Sequence, residues 1–178
     1  KEISIIIPTR GRASIMERLI KSWLATTKGK SEIIMVLDED DHQNYTGLCE
    51  KDIVPAVIFG PKSYLVEKLN MFVSQILTNP PEVFSFMGDD CVFMTPGWED
   101  RILEWQRKNR GICYCNDLLQ GENLPNNVFL HANIIQSLKY MATPILQHYY
   151  IDNYWKDLGL RLDNIHYFPE IVIEHRHW

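Results

Sequence analysis

Two aspartates stand side by side in "EVFSFMGDDCVFMTPGWED", Glu82 to Asp100, directly after an apolar run, Val83 to Met87, that predicts a buried strand. Adjacent carboxylates repel, and at the end of a buried strand they also lose solvation. Asp89 and Asp90 therefore cost free energy unless a cation, a hydrogen-bond donor or water relieves them. The placement recurs: "EIIMVLDEDD" ends its own apolar run, Ile33 to Leu37, in Asp38, Glu39, Asp40 and Asp41, and "ISIIIPTRGR" ends in Pro8, Thr9, Arg10 and Arg12. At the other end of the chain, "EHRHW" places His175 and His177 two apart, so that in an extended segment both point to one side. The chemistry on offer is that of a carboxylate-rich site with few candidates for covalent catalysis.

Elements of a definite kind must position these groups. "ISIIIP" is a β-branched run stopped by proline, and after it Ile15, Leu19, Ile20, Trp23 and Leu24 recur at helical period. The alternation continues with strands at Ile33 to Leu37 and in "VPAVIFG". A helix follows in "SYLVEKLNMFVSQIL", with Leu65, Leu69, Phe72, Val73 and Ile76 on one face. Next come the strand in "EVFSFMGDD" and a helix in "PGWEDRILEWQRK", with Pro96 near its start. Strand then helix, repeated, predicts an α/β fold with a mostly parallel sheet and helices on both faces. In open sheets of this kind ligands bind beyond the carboxyl ends of the strands, where Thr9, Asp38, Asp89 and Asp90 all fall. In the second half, "GICYCND" and "NNVFLHANII" predict strand segments and "HYYIDNYWKDLG" a helix ending at Gly159. "IHYFPEIVIEHRHW" predicts a final strand broken by Pro169. No Gly/Ser linker or repeat separates the halves, so residues 1–178 are expected to form one domain.

Composition narrows the class. The formal charge of -5 argues against a broad basic surface for naked nucleic acid, though not against a local basic groove, and makes a small molecule the default partner. Cys49, Cys91, Cys113 and Cys115 show no C-x2-C spacing and are expected to be core thiols in a reducing compartment. No apolar stretch approaches the roughly 20 residues of a membrane helix, and a soluble, cytoplasmic protein is expected. G-x-G-x-x-G after the first strand, G-x-x-x-x-G-K-[ST] and G-x-S-x-G are all missing, which argues against a dinucleotide dehydrogenase, a P-loop NTPase and a nucleophile-elbow hydrolase.

In order and spacing, "ISIIIPTRGR", "MVLDEDD", "FSFMGDDCVFMTPGWED" and "YIDNYWKDLG" resemble the nucleotide-sugar-dependent glycosyltransferases of the GT-A fold, especially the family 2-like inverting branch. The resemblance covers Ile3 to about Trp105, then "YIDNYWKDLGLRL" and the terminal histidines. It implies a Rossmann-like three-layer α/β/α fold with a nucleotide-binding half, about 1–105, and an acceptor half, about 106–178. It implies that Pro8 and Thr9 cradle the nucleoside and that Arg10 or Arg12 meets the diphosphate; otherwise Pro8 merely ends a strand and the arginines are solvated. Asp38 matches the acid that accepts a hydrogen bond from the base, commonly uracil N3–H, while Glu39, Asp40 and Asp41 begin a helix.

"GDD" is similar to the family's DxD motif, whose role is to bring Mg2+ or Mn2+ to the diphosphate. Because Gly88 stands where the first acid of DxD sits, Asp90 is the candidate for direct coordination and Asp89 for a ribose or outer contact. The resemblance also implies a histidine that completes the metal site, His175 or His177. Asp152 matches the acid of an "ED" motif that acts as general base on the acceptor hydroxyl, with Ile151 in place of the preceding acid; the alternative is an ordinary acid in the first turn of a helix. Asn70 matches an asparagine that follows arginine in many relatives. Leu69 holds the arginine position here, leaving Lys68 to take the charge role.

The function implied is transfer of a sugar from a UDP-linked donor to an acceptor hydroxyl, metal-dependent and inverting. The acceptor is a small molecule, a glycan or a hydroxylated polymer, a modified DNA base included. Trp98, Tyr149, Tyr150, Tyr154 and Trp155 could stack on a sugar or base or belong to the core. Two other classes use the same acids: a metal-dependent phosphohydrolase or nuclease, which leaves Thr9 and Asp38 without a nucleoside role, and a catalytically inactive sugar-nucleotide-binding module.

Overall fold

Alternating side chains along β1 (Ile3–Pro8) feed two separate cores, Ile3, Ile5 and Ile7 on one side and Ile6 on the other. The computed structural model that shows this describes residues 1–49 and 56–176. After β1 come α1 (Ala13–Thr26), β2 (Ser31–Asp38), a 3-10 turn (His42–Tyr45) running into α2 (Thr46–Cys49), β3 (Ala56–Gly60) and α3 (Leu65–Ile76). Then follow β4 (Val83–Phe86), β5 (Cys91–Phe93), α4 (Trp98–Asn109), β6 (Ile112–Asn116), β7 (Val128–His131), α5 (Ala132–Leu138), α6 (Ile151–Arg161) and β8 (Ile165–His175). Met16, Leu19, Ile20 and Trp23 of α1, with Trp98, Ile102 and Leu103 of α4, close one face of the sheet. Val66, Leu69, Phe72 and Val73 of α3, with Ile135 of α5 and Ile151 and Trp155 of α6, close the other. The result is three layers, helix on sheet on helix.

One sheet draws on both halves of the chain, in the order β3-β2-β1-β4-β7-β6-β8-β5. It is parallel from β3 through β4 and again between β6 and β8, and antiparallel where β7 enters and where β5 joins β8. The carboxyl ends of β1, β2 and β4 therefore open on one edge.

Several boundaries differ from those the sequence predicts. On α1 the buried face runs through Met16 rather than Leu24, which is exposed. "NNVFLHANII" is strand only to His131; the imidazole Nδ1 of His131 accepts from Asn133 N at 3.2 Å and starts α5 there, although Ile134 and Ile135 are β-branched. Helix α6 does not stop at Gly159 but continues to Arg161. Gly159 is instead a close-approach residue, since a Cβ there would lie 2.7 Å from Cβ of Ile165 in β8. Pro169 does not break β8. Cys115 pairs with Phe168 and Asn116 with Val172, so residues 169–171 form a bulge, where a residue without N–H is tolerated. Three thiols, Cys91, Cys113 and Cys115, are free and buried. Among the described residues no helix is long and apolar enough to cross a membrane.

Candidate functional site

The turn between β4 and β5 carries the aspartate pair, and its first residue explains its shape. A Cβ on Gly88 would lie 2.5 Å from Oδ1 of Asp90, so a glycine leaves room for that carboxylate. The repulsion between the two acids is relieved by Arg12, just after β1, whose guanidinium reaches Asp89 Oδ1 at 2.8 Å and Asp90 Oδ2 at 3.1 Å. Thr9 Oγ1 donates to Asp89 Oδ2 at 2.6 Å, and His175 Nε2 lies 3.2 Å from Asp90 Oδ1. The bulge at residues 169–171 delivers that histidine: beyond it β8 pairs with β5, setting His175 opposite Cys91, and Arg176 N donates to the Asp90 carbonyl at 3.1 Å. Burial pushes the Asp89 carboxyl up despite Thr9 and Arg12. Burial acts the same way on Asp90, but His175 and Arg12 outweigh it and hold that carboxyl at about 2. The His175 imidazole is raised in turn, chiefly by its hydrogen bond to Asp90.

Pro8, Thr9, Arg10, Arg12, Lys68, Asp89, Asp90 and His175 line one cavity of about 480 Å³, shared with Tyr64 and His148. Asp38 is buried and does not itself line the cavity; it is tied to two residues that do, with Lys68 Nζ at 2.8 Å from Oδ1 and Arg10 at 2.7 Å from Oδ2. Burial raises the Asp38 carboxyl, and the two cations lower it further than burial raises it. Arg10 also grips Asp40. Asp41 accepts from Gly11 N at 2.7 Å and from Asn44 Nδ2 at 2.6 Å, tying the short helical turn to the β1 exit. Tyr45, fully buried, was not anticipated: its hydroxyl meets Thr9 Oγ1 at 2.8 Å and accepts from Arg12 N at 3.0 Å, fixing the β1 exit. Nothing in the local sequence marks it out.

Asp152 lies in the first turn of α6, where burial lifts its carboxyl to about 6, His175 lowers it and Asp117 raises it. Those influences place it within electrostatic reach of His175. Asp117, also missed, is buried at the end of β6; its Oδ1 accepts from the amides of Leu119, Gln120 and Gly121, and its carbonyl accepts from His175 N at 3.0 Å. An aspartate ahead of a turn with Gly121 four residues on is the signal that could have found it. Asn70 is not brought to the cleft. Its amide donates to the Ala142 carbonyl at 2.7 Å and accepts from Met141 N and Ala142 N at 2.9 Å each, which uses it to hold the segment before α6. His177 lies outside the described residues. Trp98 and Trp155 are core, whereas Tyr149 and Tyr150 are exposed.

The donors available to a metal can be weighed from this geometry. Among the described residues no group of three or more His, Cys, Asp or Glu is gathered to hold an ion alone. Asp90 and His175 offer one carboxylate and one imidazole 3.2 Å apart, facing the cavity. Two donors suit an Mn2+ or Mg2+ ion that completes its coordination with phosphate and water, so the residues fit a cation that arrives with a diphosphate.

Comparison with known proteins agrees with the architecture. The family described as glycosyl transferase family 2 matches residues 4–157. Among solved structures, S. aureus TarS superposes with a TM-score of 0.73 at 12% identity, covering 99% of this chain and 37% of that one. A TarS 1–349 structure in complex with UDP gives 0.74 at 11% identity, covering 99% and 60%. The mannosyltransferase PcManGT from Pyrobaculum calidifontis, in complex with GDP-Man and Mn2+, gives 0.73 at 11% identity, covering 98% and 56%. The chain thus spans between about a third and three fifths of those proteins. No curated protein matches the sequence.

Proposed function

Since the chain belongs to glycosyl transferase family 2, we propose that it transfers a sugar from a UDP-linked donor to an acceptor hydroxyl, with inversion and with help from a divalent cation. The observation that carries this reading is the convergence of Thr9, Arg12, Asp89, Asp90 and His175, from separate stretches of the chain, on one cavity. Pro8 and Thr9 form the floor under the nucleoside, and Asp38, held by Lys68 and Arg10, faces the base. Arg12 is the cation nearest a diphosphate. Asp90 and His175 would hold the metal, which when bound neutralises diphosphate charge and so eases its departure.

Asp152 is the base. With its carboxyl at about 6 it is ionised at neutral pH, yet basic enough to take a hydroxyl proton. In one displacement the acceptor oxygen bonds to the anomeric carbon, the bond from that carbon to the diphosphate oxygen breaks with its electron pair leaving on UDP, and the proton passes to Asp152. Residues 1 to about 105 hold the donor and the rest of the same domain receives the acceptor. The buried, unpaired Cys91, Cys113 and Cys115 suit a reducing compartment, the cytoplasm.

A thermal-shift screen of nucleoside diphosphates with and without Mn2+ tests the reading, because a ligand of the folded state raises stability by RT ln(1 + [L]/Kd). UDP with Mn2+ is expected to raise the melting temperature more than UDP with EDTA. If no nucleoside diphosphate moves it under either condition, the proposal is overturned.

A further inference from the structure

Beside the nucleotide cleft, and continuous with it through Tyr64 and His148, lies a second cavity of about 630 Å³. Tyr64, Ile145, Leu146, His148, Tyr149 and Tyr150 line it, and among the described residues its lining holds no Asp, Glu, Lys or Arg. Large apolar side chains are displayed here at a cost: Ile145 is 91% exposed and Tyr149 74%. The segment that carries them is anchored. Asn70 clamps Met141 and Ala142, Leu146 N bonds the Thr143 carbonyl, and Val66 N bonds the Gln147 carbonyl. Tyr150 closes the segment in the left-handed region at φ 69°, strained for a tyrosine, and Asp152 follows two residues on.

We propose that this shelf is the acceptor subsite and that it takes an uncharged saccharide, whose ring packs its C–H face on the tyrosines. The assignment rests on the glycosyl-transfer reading and specifies the acceptor for it. Three features choose this occupant. A fixed, exposed aromatic face buries apolar ring surface at low entropic cost, as sugar recognition requires. A lining without Lys or Arg gives a phosphodiester polymer little counter-charge, and the net charge of -5 disfavours one. The shelf also abuts the cleft at Tyr64 and His148, and it ends at Tyr150, the residue that starts the helix carrying Asp152.

Saturation-transfer NMR and calorimetry with maltotriose, cellotriose, chitotriose and a 12-base-pair DNA duplex test the assignment. At least one trisaccharide is expected to bind. Tyr149→Ala should weaken that binding roughly 3- to 10-fold, the worth of one aromatic contact, while Tyr149→Phe keeps it, because the ring face and not the hydroxyl acts. Ile145→Ser gives a second loss that leaves the tyrosines in place, and UDP affinity with Mn2+ should stay at the parental value in all three variants. Binding by no trisaccharide, undiminished binding in Tyr149→Ala, or displacement of the saccharide by the DNA duplex would each overturn the proposal. A parent that binds a trisaccharide but no nucleoside diphosphate would instead overturn the transferase reading and leave the shelf standing.

Discussion

Arg12 holds both aspartates of the β4–β5 turn, so the side chain proposed to meet a diphosphate is engaged by carboxylates. On the proposed reading, a cation held by Asp90 would compete with the guanidinium, which would then be free for the diphosphate. Metal and nucleotide should accordingly favour each other's binding. Arg12→Gln removes the competitor: titrated alone, Mn2+ should bind about 3- to 5-fold more tightly to this variant, the scale of a partly exposed ion pair. UDP in the presence of Mn2+ should bind roughly 10-fold more weakly, for want of a charge-assisted contact. Unchanged Mn2+ affinity would show that Arg12 does not compete.

Asp152 carries the opposite kind of signature. Its folded-state carboxyl is raised above the unfolded value, so ionising it costs stability; the cost is absent below about pH 4 and complete above about pH 6. Asp152→Asn should therefore melt higher than the parent at pH 8, by on the order of 1–2 kcal/mol once solvent screening is counted, and equally at pH 4. Equal melting at both pH values would mean that the carboxyl is not strained in the fold.

At the scale of elements, α3 serves the site through what it holds. Its Asn70 amide makes three hydrogen bonds to the backbone at residues 141 and 142, the approach to the tyrosine shelf and α6. Asn70→Ala should cost about 2–3 kcal/mol in chemical denaturation while leaving UDP affinity with Mn2+ unchanged. A loss of nucleotide affinity at full stability would return Asn70 to the nucleotide site. Much of this scaffold was legible in sequence. Helical period placed α1 and α3, a proline near its start placed α4, and apolar runs ending in proline or in acids placed β1, β2 and β4, because amphipathic faces and strand ends are local patterns. What escaped depended on distant partners. Gly159 read as a helix stop because its crowding neighbour, Ile165, belongs to another element. Pro169 read as a strand break because the partner register that makes room for a bulge is set by β6. β5 is too short to show a period, yet its pairing with β8 sets His175 against Asp90. Tyr45 bonds to Thr9 and Arg12, far along the chain, which no local pattern records, and the local turn around Asp117 does not show that its carbonyl also receives His175 N.

On the scale of the molecule, a single sheet takes β1 to β4 from the first half and β6 to β8 from the second, and the site lies where they meet. The donor-side groups come from the exits of β1, β2 and β4, and His175 comes from the last strand. The charge of His175 is felt by Asp90 on one side and by Asp152 on the other. On the proposed reading, donor chemistry and acceptor activation are thereby placed next to each other in a chain of net charge -5. The central claim is that Asp152 takes the acceptor's proton and has no part in holding the donor. The most direct measurement pairs UDP-sugar turnover across pH with donor affinity, in the parent and in Asp152→Asn. The parent's kcat/KM should rise through about pH 6 and level off, whereas the variant should be at least roughly 10²-fold slower, without that rise, and should bind UDP and Mn2+ like the parent. Turnover near the parental rate in Asp152→Asn, or loss of donor binding alongside turnover, would contradict the account.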